Sequence, residues 1–182
     1  MRSSEIEMLE NFKRILKLEN KIGTTRNGDI ISYRVQFGNV QLYRWLLKIG
    51  LTPHKTHTIG KINVPNKYFK DFLRGHLDGD GSIVTYIDRY NTFKNPQYIY
   101  VRLIIKFISA SRNHMIWLKE KTEKLLDAHG RLHELRRSNK KYVSIWLLKF
   151  GKKETIRLLS KLYYSKDIPS LTRKRLLAEK FI

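Results

Sequence analysis

Hydrophobic positions recur at helical spacing in some segments of the chain and at strand spacing in others. Helical spacing predicts helices over 5–18, 40–49, 66–78, 112–127, 152–163 and about 170–181. Alternation predicts strands over 30–37, 82–90 and 98–109, and a hairpin over about 130–150 with its turn at 137–141. Residues 23–28 are expected to form a turn between two short strands. The two spacings together predict an α+β fold in which an antiparallel sheet packs on helices.

The segment 98–109 has two chemically different faces. One face is apolar: Ile99, Val101, Leu103, Ile105 and Phe107. The other is largely aromatic and basic: Tyr98, Tyr100, Arg102, Ile104 and Lys106. This alternation is typical of a sheet that packs on helices with one face and presents the other to a partner.

Two parts of the chain are similar at an offset of 113 residues. The segment 33–38 (YRVQFG) matches 146–151 (WLLKFG), and 44–46 (RWL) matches 157–159 (RLL). Upstream of each match the predicted order is helix, turn, strand, turn, strand. These matches predict an internal repeat in which residues 65–182 form a complete unit. Residues 1–64 are predicted to be an incomplete first unit, without the opening helix and first hairpin of the second.

The composition indicates a folded protein with an anionic partner. Of the 182 residues, 41% are hydrophobic, and 37 Lys and Arg outnumber 16 Asp and Glu to give a net charge of +21. This surplus favours nucleic acid over a membrane surface, because basic residues run through the whole chain. The chain has no cysteine, which excludes disulfides and thiolate chemistry. No membrane span or signal peptide is predicted, so we expect an intracellular, non-secreted protein, cytoplasmic or organelle-encoded.

The segment 72–82 (FLRGHLDGDGS) carries the candidate chemistry. Gly75 and Gly79 lie one turn apart on a predicted helix, where each glycine costs about 1 kcal/mol relative to alanine. Such spacing allows a second backbone to approach closely. Asp78 and Asp80 stand at the helix C-terminus, where the dipole is already negative. Two acids there indicate either a bound hard cation or an ordinary acidic turn.

Residues 73–81 (LRGHLDGDG) resemble the signature of the LAGLIDADG homing endonucleases. The following hairpin and the segment 45–53 (WLLKIGLTP) resemble the same family, and the resemblance covers nearly the whole chain. It implies that two motif helices pack side by side between two DNA-binding sheets. It also implies that Asp80 and the Gly79 carbonyl bind Mg²⁺, with Mn²⁺ or Ca²⁺ possible in the same site. Asp78, Gly75 and Gly79 are then expected at the helix interface.

Metal-assisted phosphodiester hydrolysis needs basic groups near the transition state and a positioned water. The catalytic candidates are Asp80, Lys106, Ser111, Arg173 and Lys174. Alternation from Asp80 predicts a DNA-facing set that includes Ser82, Val84, Tyr86, Asp88, Arg102 and Lys106. Further DNA-binding candidates are Arg34, Gln36, Arg131 and His133.

The leading hypothesis is a metal-dependent homing endonuclease that cleaves a long double-stranded DNA site. Because one motif is present, the partner would include a second motif helix in trans, from a homodimer or a separate chain. One alternative is a decayed or split fragment that binds DNA without cutting. Another is an RNA maturase that binds intron RNA, because Tyr98 and Tyr100 could stack on bases.

Overall fold

The computed structural model describes residues 1–53, 56–135 and 144–182. Its helices are α1 Ile6–Leu16, α2 Val40–Lys48, α3 Phe69–Gly79, α4 Arg112–Leu126, α5 Lys152–Leu162 and α6 Thr172–Glu179. Its strands are β1 Arg2–Ser3, β2 Gly23–Asn27, β3 Ile30–Arg34, β4 Ser82–Asp88, β5 Tyr100–Ser109, β6 Arg131–Leu135 and β7 Ile145–Phe150. None of the helices in these ranges has both the length and the apolar run that crossing a bilayer requires.

The strands form two antiparallel sheets. The first sheet has the order β1-β3-β2 and the second the order β4-β5-β7-β6. The main core lies between the second sheet and helices α3, α4 and α5. Leu103, Ile105 and Phe107 of β5 are fully buried there, as the alternation predicted, whereas Val101 near the start of the strand is 45% exposed. Among the described residues, the positions of β5 in this core all lie on its odd-numbered side, so Arg102 and Lys106 lie on the outer face.

Three strands of each sheet correspond in order and register. Ser3 of β1 pairs with Tyr33 of β3, and Ser109 of β5 pairs with Trp146 of β7. In both places the serine Oγ accepts a hydrogen bond from the backbone N–H two residues later, at 3.0 Å and 3.1 Å. A helix follows each of these turns, α1 in one case and α4 in the other. The second sheet has one further strand, β4, which pairs with the long β5.

Helix α1 is tied to the start of α6 by polar contacts. The Arg173 guanidinium donates to both carboxylate oxygens of Glu5, with Nε at 2.9 Å from one of them. The Glu7 carboxylate accepts the Thr172 backbone N–H at 3.0 Å, and so it satisfies a free donor of the first turn of α6. The Asn11 amide donates to the Ser170 carbonyl at 3.0 Å. These contacts join residues of the first 64 to the last helix of the chain.

The predicted turn at 23–28 is wrong. Residues Gly23–Asn27 form β2, which pairs with β3 along its whole length, and the chain reverses at Gly28 with φ +58°. The strand escaped detection because all five of its residues are exposed, so its sequence has no hydrophobic alternation. The remaining predicted helices and strands are present within a few residues of their predicted bounds. The predicted turn at 137–141 lies outside the described residues.

Candidate metal and nucleic-acid site

Helix α3 has one apolar face and one glycine face. Phe69, Leu73 and Leu77 point into the core and are at most 1% exposed. Gly75 and Gly79 lie on the opposite side, and no atom lies within 4 Å of where a Cβ would stand on either. The motif helix therefore has an open strip of backbone, which is the geometry predicted for close approach of a second helix.

The C-terminus of α3 is capped by a buried lysine. Lys174 is 4% exposed, and its Nζ donates to the carbonyl oxygens of Leu77 at 2.5 Å, Asp78 at 2.9 Å and Gly81 at 2.8 Å. An ammonium has three donors, and all three are used here. Lys174 therefore has a structural role in this fold, and its catalytic role stays a prediction. Its positive charge also lies at the negative end of the helix dipole, where a cation is stabilising.

Asp78 is an internal structural acid. It is 7% exposed, and its carboxylate accepts the Leu171 backbone N–H at 3.1 Å and the Tyr163 hydroxyl at 3.4 Å. Burial raises the pKa of Asp78 to about 6. The two hydrogen bonds lower the pKa, but their effect is smaller than that of burial. Both partners belong to the segment between α5 and α6. The expected place of Asp78 at an interface with a second motif helix stays a prediction.

Two other catalytic candidates also have structural contacts. Ser111 is buried at the N-cap of α4, where its Oγ accepts the His114 N–H at 3.4 Å and donates to the Ile59 carbonyl. Its Oγ therefore both donates and accepts within the fold. Arg173 is engaged with Glu5 at the N-cap of α1, as described above. The catalytic roles of Ser111 and Arg173 stay predictions, and local spacing could not show these contacts, because each joins residues more than 50 positions apart.

One important residue of the motif helix was missed by the sequence analysis. Arg74 is 6% exposed, and it donates to the carbonyl oxygens of Pro169 at 2.9 Å and Leu162 at 3.2 Å and to the Asp71 carboxylate at 2.9 Å. These bonds fix α3 against the end of α5 and the segment before α6. An arginine within an apolar helical run was the signal that could have identified it, since buried charges are almost always paired.

Asp80 is the acid of the motif that remains free. It lies at the C-cap of α3, is exposed, and has no ion pair or side-chain hydrogen bond within the described part of the chain. The Gly79 carbonyl oxygen likewise accepts no hydrogen bond there. A carboxylate and a carbonyl are the hard donors that Mg²⁺, Mn²⁺ and Ca²⁺ take. The residues present therefore fit the edge of such a site.

The chain does not supply a complete set of metal ligands at this point. No group of three or more His, Asp or Glu side chains suited to one ion occurs in residues 1–53, 56–135 and 144–182. Mg²⁺ is commonly held by one or two carboxylates together with waters and substrate phosphates. An open set of donors such as Asp80 and Gly79 is compatible with that mode of binding.

The strand register brings a row of cations across the outer face of the second sheet. Ser82 of β4 pairs with Lys106 of β5, Lys106 pairs with Lys149 of β7, and Lys149 pairs with Arg131 of β6. Ser82 comes two residues after Asp80, so the row begins beside the end of the motif helix. Lys149 was missed, although it lies between the buried Leu148 and Phe150 and alternation alone would have placed it outside.

The other predicted DNA-facing residues of this sheet lie on the same face. Val84 pairs with Ile104, Tyr86 with Arg102, and His133 with Leu147, all in register with Lys106 and Lys149. Asp88 accepts a hydrogen bond from Arg102 Nε at 2.7 Å. The Tyr90 backbone N–H and Arg102 hold the pKa of Asp88 below its usual value. Arg102 is half exposed all the same, so part of its guanidinium is free for other contacts.

Arg34 is the last residue of β3 in the first sheet, and Gln36 lies two residues beyond it. They flank the fully buried Val35, and both are exposed. Arg34 pairs with Arg2 of β1, which adds a second cation to this sheet. Each sheet therefore has exposed basic residues, Arg2 and Arg34 in the first and Arg102 and Arg131 in the second.

His76 of the motif helix packs against His114 of α4. The His76 and His114 rings are 5.4 Å apart, and His76 also contacts Phe107 at 5.2 Å. Burial is the main cause that lowers the pKa of His76 to about 4, and it lowers the pKa of His114 as well. Both rings are therefore neutral at pH 7. His76 Nδ1 is buried and has no hydrogen-bond partner among the described residues.

Comparisons with known proteins were made by sequence and by structure. No protein-family model and no curated protein matches the sequence. Solved structures match the fold over nearly the whole chain. The meganuclease I-SmaMI bound to uncleaveable DNA matches with a TM-score of 0.58 at 14% identity, covering 99% of this chain and 76% of that one.

Two further structures give the same result. A structure from a study of mesophilic variants of the homing endonuclease I-DmoI matches with a TM-score of 0.59 at 11% identity, covering 98% of this chain and 81% of that one. The LAGLIDADG homing endonuclease I-LtrWI bound to target DNA matches with a TM-score of 0.57 at 17% identity, covering 100% of this chain and 75% of that one. The chain thus spans about three quarters of the length of these proteins or slightly more. Together with the motif helix and the two sheets, these matches show that the chain has the fold of the LAGLIDADG homing endonucleases.

Proposed function

We propose that this chain binds double-stranded DNA and contributes one half of a divalent-metal-dependent endonuclease site. The observation that carries the proposal is the row of Lys106, Lys149 and Arg131, which starts beside the free carboxylate of Asp80. Cations next to a metal-binding acid are what cleavage of a phosphodiester requires. A net charge of +21 supports the same kind of partner.

The outer face of the sheet suits the DNA major groove. A β-ribbon fits that groove, and arginine or lysine in it can recognise guanine through the O6 and N7 acceptors. Arg102, Lys106 and Arg131 are candidates for such contacts, and Tyr86 lies beside Arg102. Basic residues elsewhere on the chain would contact phosphates and add affinity that depends on salt. I-SmaMI and I-LtrWI, which have the same fold, were solved bound to DNA.

The residues of the motif have distinct roles in this proposal. The Asp80 carboxylate and the Gly79 carbonyl would hold the metal, which supplies Lewis-acid polarisation of the phosphate and activation of water when bound. Lys106 stabilises negative charge that develops on the phosphate. Lys174 and Asp78 fix the backbone that presents Asp80, because their contacts lie on either side of it. Mg²⁺ is the first choice of metal, and Mn²⁺ or Ca²⁺ can take the same oxygen donors.

One motif helix supplies one metal-binding acid. The geometry therefore supports binding of DNA by the chain and cleavage only when a second motif contributes its own acid. This distinguishes the proposal from the alternative of a decayed fragment, which would not cleave DNA even when a second motif is supplied.

The test has two stages. DNA sites are first selected from a random duplex library by binding to the protein in Ca²⁺, and binding of the selected site is then measured by fluorescence anisotropy. Asp80→Asn should leave duplex affinity unchanged without metal and remove the increase in affinity that Ca²⁺ gives. Asp29→Asn, in the exposed turn before β3, is the matched control and should behave as wild type. Equal Ca²⁺ responses in the wild type and Asp80→Asn would refute the metal site.

A second candidate function rests on an observation of its own. Tyr98 and Tyr100 are both partly exposed, and their rings are 6.2 Å apart at an angle of 31°. Exposed aromatic rings beside Arg102 can stack on unpaired bases. This favours intron RNA as an alternative ligand for the chain. A single-stranded RNA competitor in the anisotropy assay tests it, since a maturase role requires RNA to displace duplex DNA and Tyr98→Ala to weaken RNA alone.

A further inference from the structure

A buried threonine connects the two central strands of the second sheet. Thr155 lies in the first turn of α5 and is fully buried. Its Oγ1 accepts the Ile105 backbone N–H of β5 at 3.0 Å and donates to the Phe150 carbonyl of β7 at 3.0 Å. Ile105 and Phe150 face each other in the register of these strands. The hydroxyl therefore joins the backbones of β5 and β7 from the core side.

This connection lies at the end of the pairing between β5 and β7. The last residues of the two strands to pair are Ile105 and Phe150, after which the chain leaves β7 to begin α5. Beyond that point β5 continues in its pairing with β4. The end of a strand pair opens more easily than its middle, because fewer contacts hold it. Thr155 closes that end with two hydrogen bonds.

The neighbouring pair of the same strands consists of two lysines. Lys106 and Lys149 lie directly opposite each other on the outer face, and both side chains are half-buried. No salt bridge within the described part of the chain includes either of them. Like charges at directly opposed positions of an antiparallel pair are destabilising. Their repulsion acts to open the strands beside the free end of the pairing, and the Thr155 connection opposes it.

We propose that Thr155 is a positioning residue for the DNA contacts of Lys106 and Lys149. The inference rests on the proposed function, in which the row that includes both lysines faces DNA. By closing the end of the strand pairing, the hydroxyl keeps the two ammonium groups side by side, so that both charges act on the same stretch of the DNA backbone. Because Thr155 is fully buried, it acts through the strands and not by touching DNA.

A second buried threonine provides the matched control. Thr122 is also fully buried, and its Oγ1 donates to the Leu118 carbonyl of its own helix, α4, at 2.7 Å. Thr122→Val therefore removes a buried hydroxyl without touching a connection between strands. Thr155→Val removes the connection and keeps the branched shape of the side chain, whereas Thr155→Ser keeps the hydroxyl. These three variants separate the loss of a buried hydroxyl from the loss of the strand connection.

The first experiment measures the spacing of the strands without DNA. The chain has no cysteine, so Lys106→Cys with Lys149→Cys places one pair of thiols at opposed positions of β5 and β7. Their rate of disulfide formation under diamide depends on how often the two Cβ atoms come within bonding distance. Adding Thr155→Val should slow that rate by about two- to tenfold, the factor that corresponds to one lost hydrogen bond. Thr155→Ser and Thr122→Val should leave it unchanged, and an unchanged rate in Thr155→Val would overturn the inference.

The second experiment asks whether this spacing matters for DNA binding. The slope of log affinity against log salt is measured for the selected duplex with both lysines present and with Lys106→Ala and Lys149→Ala combined. With the lysines present, Thr155→Val should reduce the slope by about 1, and Thr155→Ser should keep the wild-type slope. In the double alanine variant, Thr155→Val should change nothing further. An equal reduction in both backgrounds would overturn the inference, since such an effect would not depend on the lysines.

Urea unfolding establishes that each variant is folded under the conditions of the assays. If Thr155→Val does not fold, Thr155→Cys replaces it in the salt titration, because a thiol is a weaker donor and acceptor than a hydroxyl. A wild-type slope in the variant used, together with a reduced slope in the double alanine variant, would refute the role of Thr155 alone. A wild-type slope in the double alanine variant would instead refute the phosphate contacts of the proposed function, and the inference with them.

Discussion

Replacing Lys174 with methionine should destabilise the protein through the end of the motif helix. The substitution keeps the length and most of the apolar stem of the side chain but removes the charge and its three hydrogen bonds. Two of the three acceptors, the carbonyls of Asp78 and Gly81, have no other donor among the described residues, whereas the Leu77 carbonyl also accepts the Gly81 N–H at 3.1 Å. The variant therefore leaves two buried carbonyl groups without a hydrogen-bond donor.

The magnitude follows from these contacts. A buried polar group left without a partner costs about 1–3 kcal/mol, so two carbonyls correspond to roughly 2–6 kcal/mol. Part of that cost is offset, because burying an ammonium is itself unfavourable and burial lowers the pKa of Lys174. We expect a net loss of about 2–4 kcal/mol in the free energy of unfolding. The substitution should also affect the proposed metal site, because the backbone that loses these hydrogen bonds includes Gly79 and Asp80. Lys174→Met should therefore also weaken Ca²⁺ binding in the DNA complex.

Urea unfolding followed by circular dichroism measures the change in the free energy of unfolding. Titration of Ca²⁺ into the DNA complex measures the change in Ca²⁺ affinity. Arg173→Met is the control, because Arg173 is adjacent, exposed and paired with Glu5 at the surface. It should cost at most about 1 kcal/mol and leave Ca²⁺ affinity unchanged. If Lys174→Met unfolds at the same urea concentration as wild type, the capping argument fails. If it is destabilised but binds Ca²⁺ normally, Lys174 supports the fold and not the metal site.

Two further predictions concern pH and salt. His76 should contribute a loss of stability as pH drops from 6.5 toward 4, because the unfolded chain protonates it in this range while the folded chain, with the His76 pKa near 4, does not. Asp78 contributes with the opposite sign, because burial raises its pKa to about 6 and the folded chain takes up its proton first. His114 and Asp80 face His76, and His114 adds a loss of the same sign as His76. His76→Phe should therefore lose less stability, or gain more, than wild type as the pH is lowered; equal pH dependence in the two proteins would contradict the burial argument. Lys106→Ala and Lys149→Ala should each reduce the slope of log affinity for duplex DNA against log salt by about 1, whereas Lys119→Ala, paired with Glu123 on α4, should not. Equal slopes in all three variants would refute the cationic row as a phosphate-binding surface.

The outer face of the second sheet could be predicted from the sequence because it depends on local alternation. Once Leu103, Ile105 and Phe107 are assigned to the core, the even-numbered residues of β5 must lie outside, and antiparallel pairing carries β4 with them. The same reasoning would have placed Lys149, which was overlooked within an apolar run. The sequence also indicated the glycine face of α3, because glycines inside a helix reduce its stability and local structure does not explain them.

The contacts of α6 could not be predicted in this way. Lys174 reaches carbonyls more than 90 residues earlier in the chain, and no periodicity relates the register of α6 to that of α3. The same is true of Ser111 with the Ile59 carbonyl and of Arg173 with Glu5. A basic residue or serine near a metal motif looks like a catalytic candidate in the sequence, whether its side chain faces the substrate or the protein backbone. Tertiary packing shows that all three residues make contacts within the fold, which local spacing could not predict.

The structure also changes the argument that led from two acids to a metal. Asp78 and Asp80 lie at the negative end of a helix dipole, which indicated either a bound cation or an ordinary acidic turn. Lys174 provides a cation at that end already, and Asp78 is held by the Leu171 N–H and by burial that favours its protonated form. Only Asp80 keeps a free carboxylate at the protein surface. Under the proposed function the motif therefore supplies one metal-binding acid and not two.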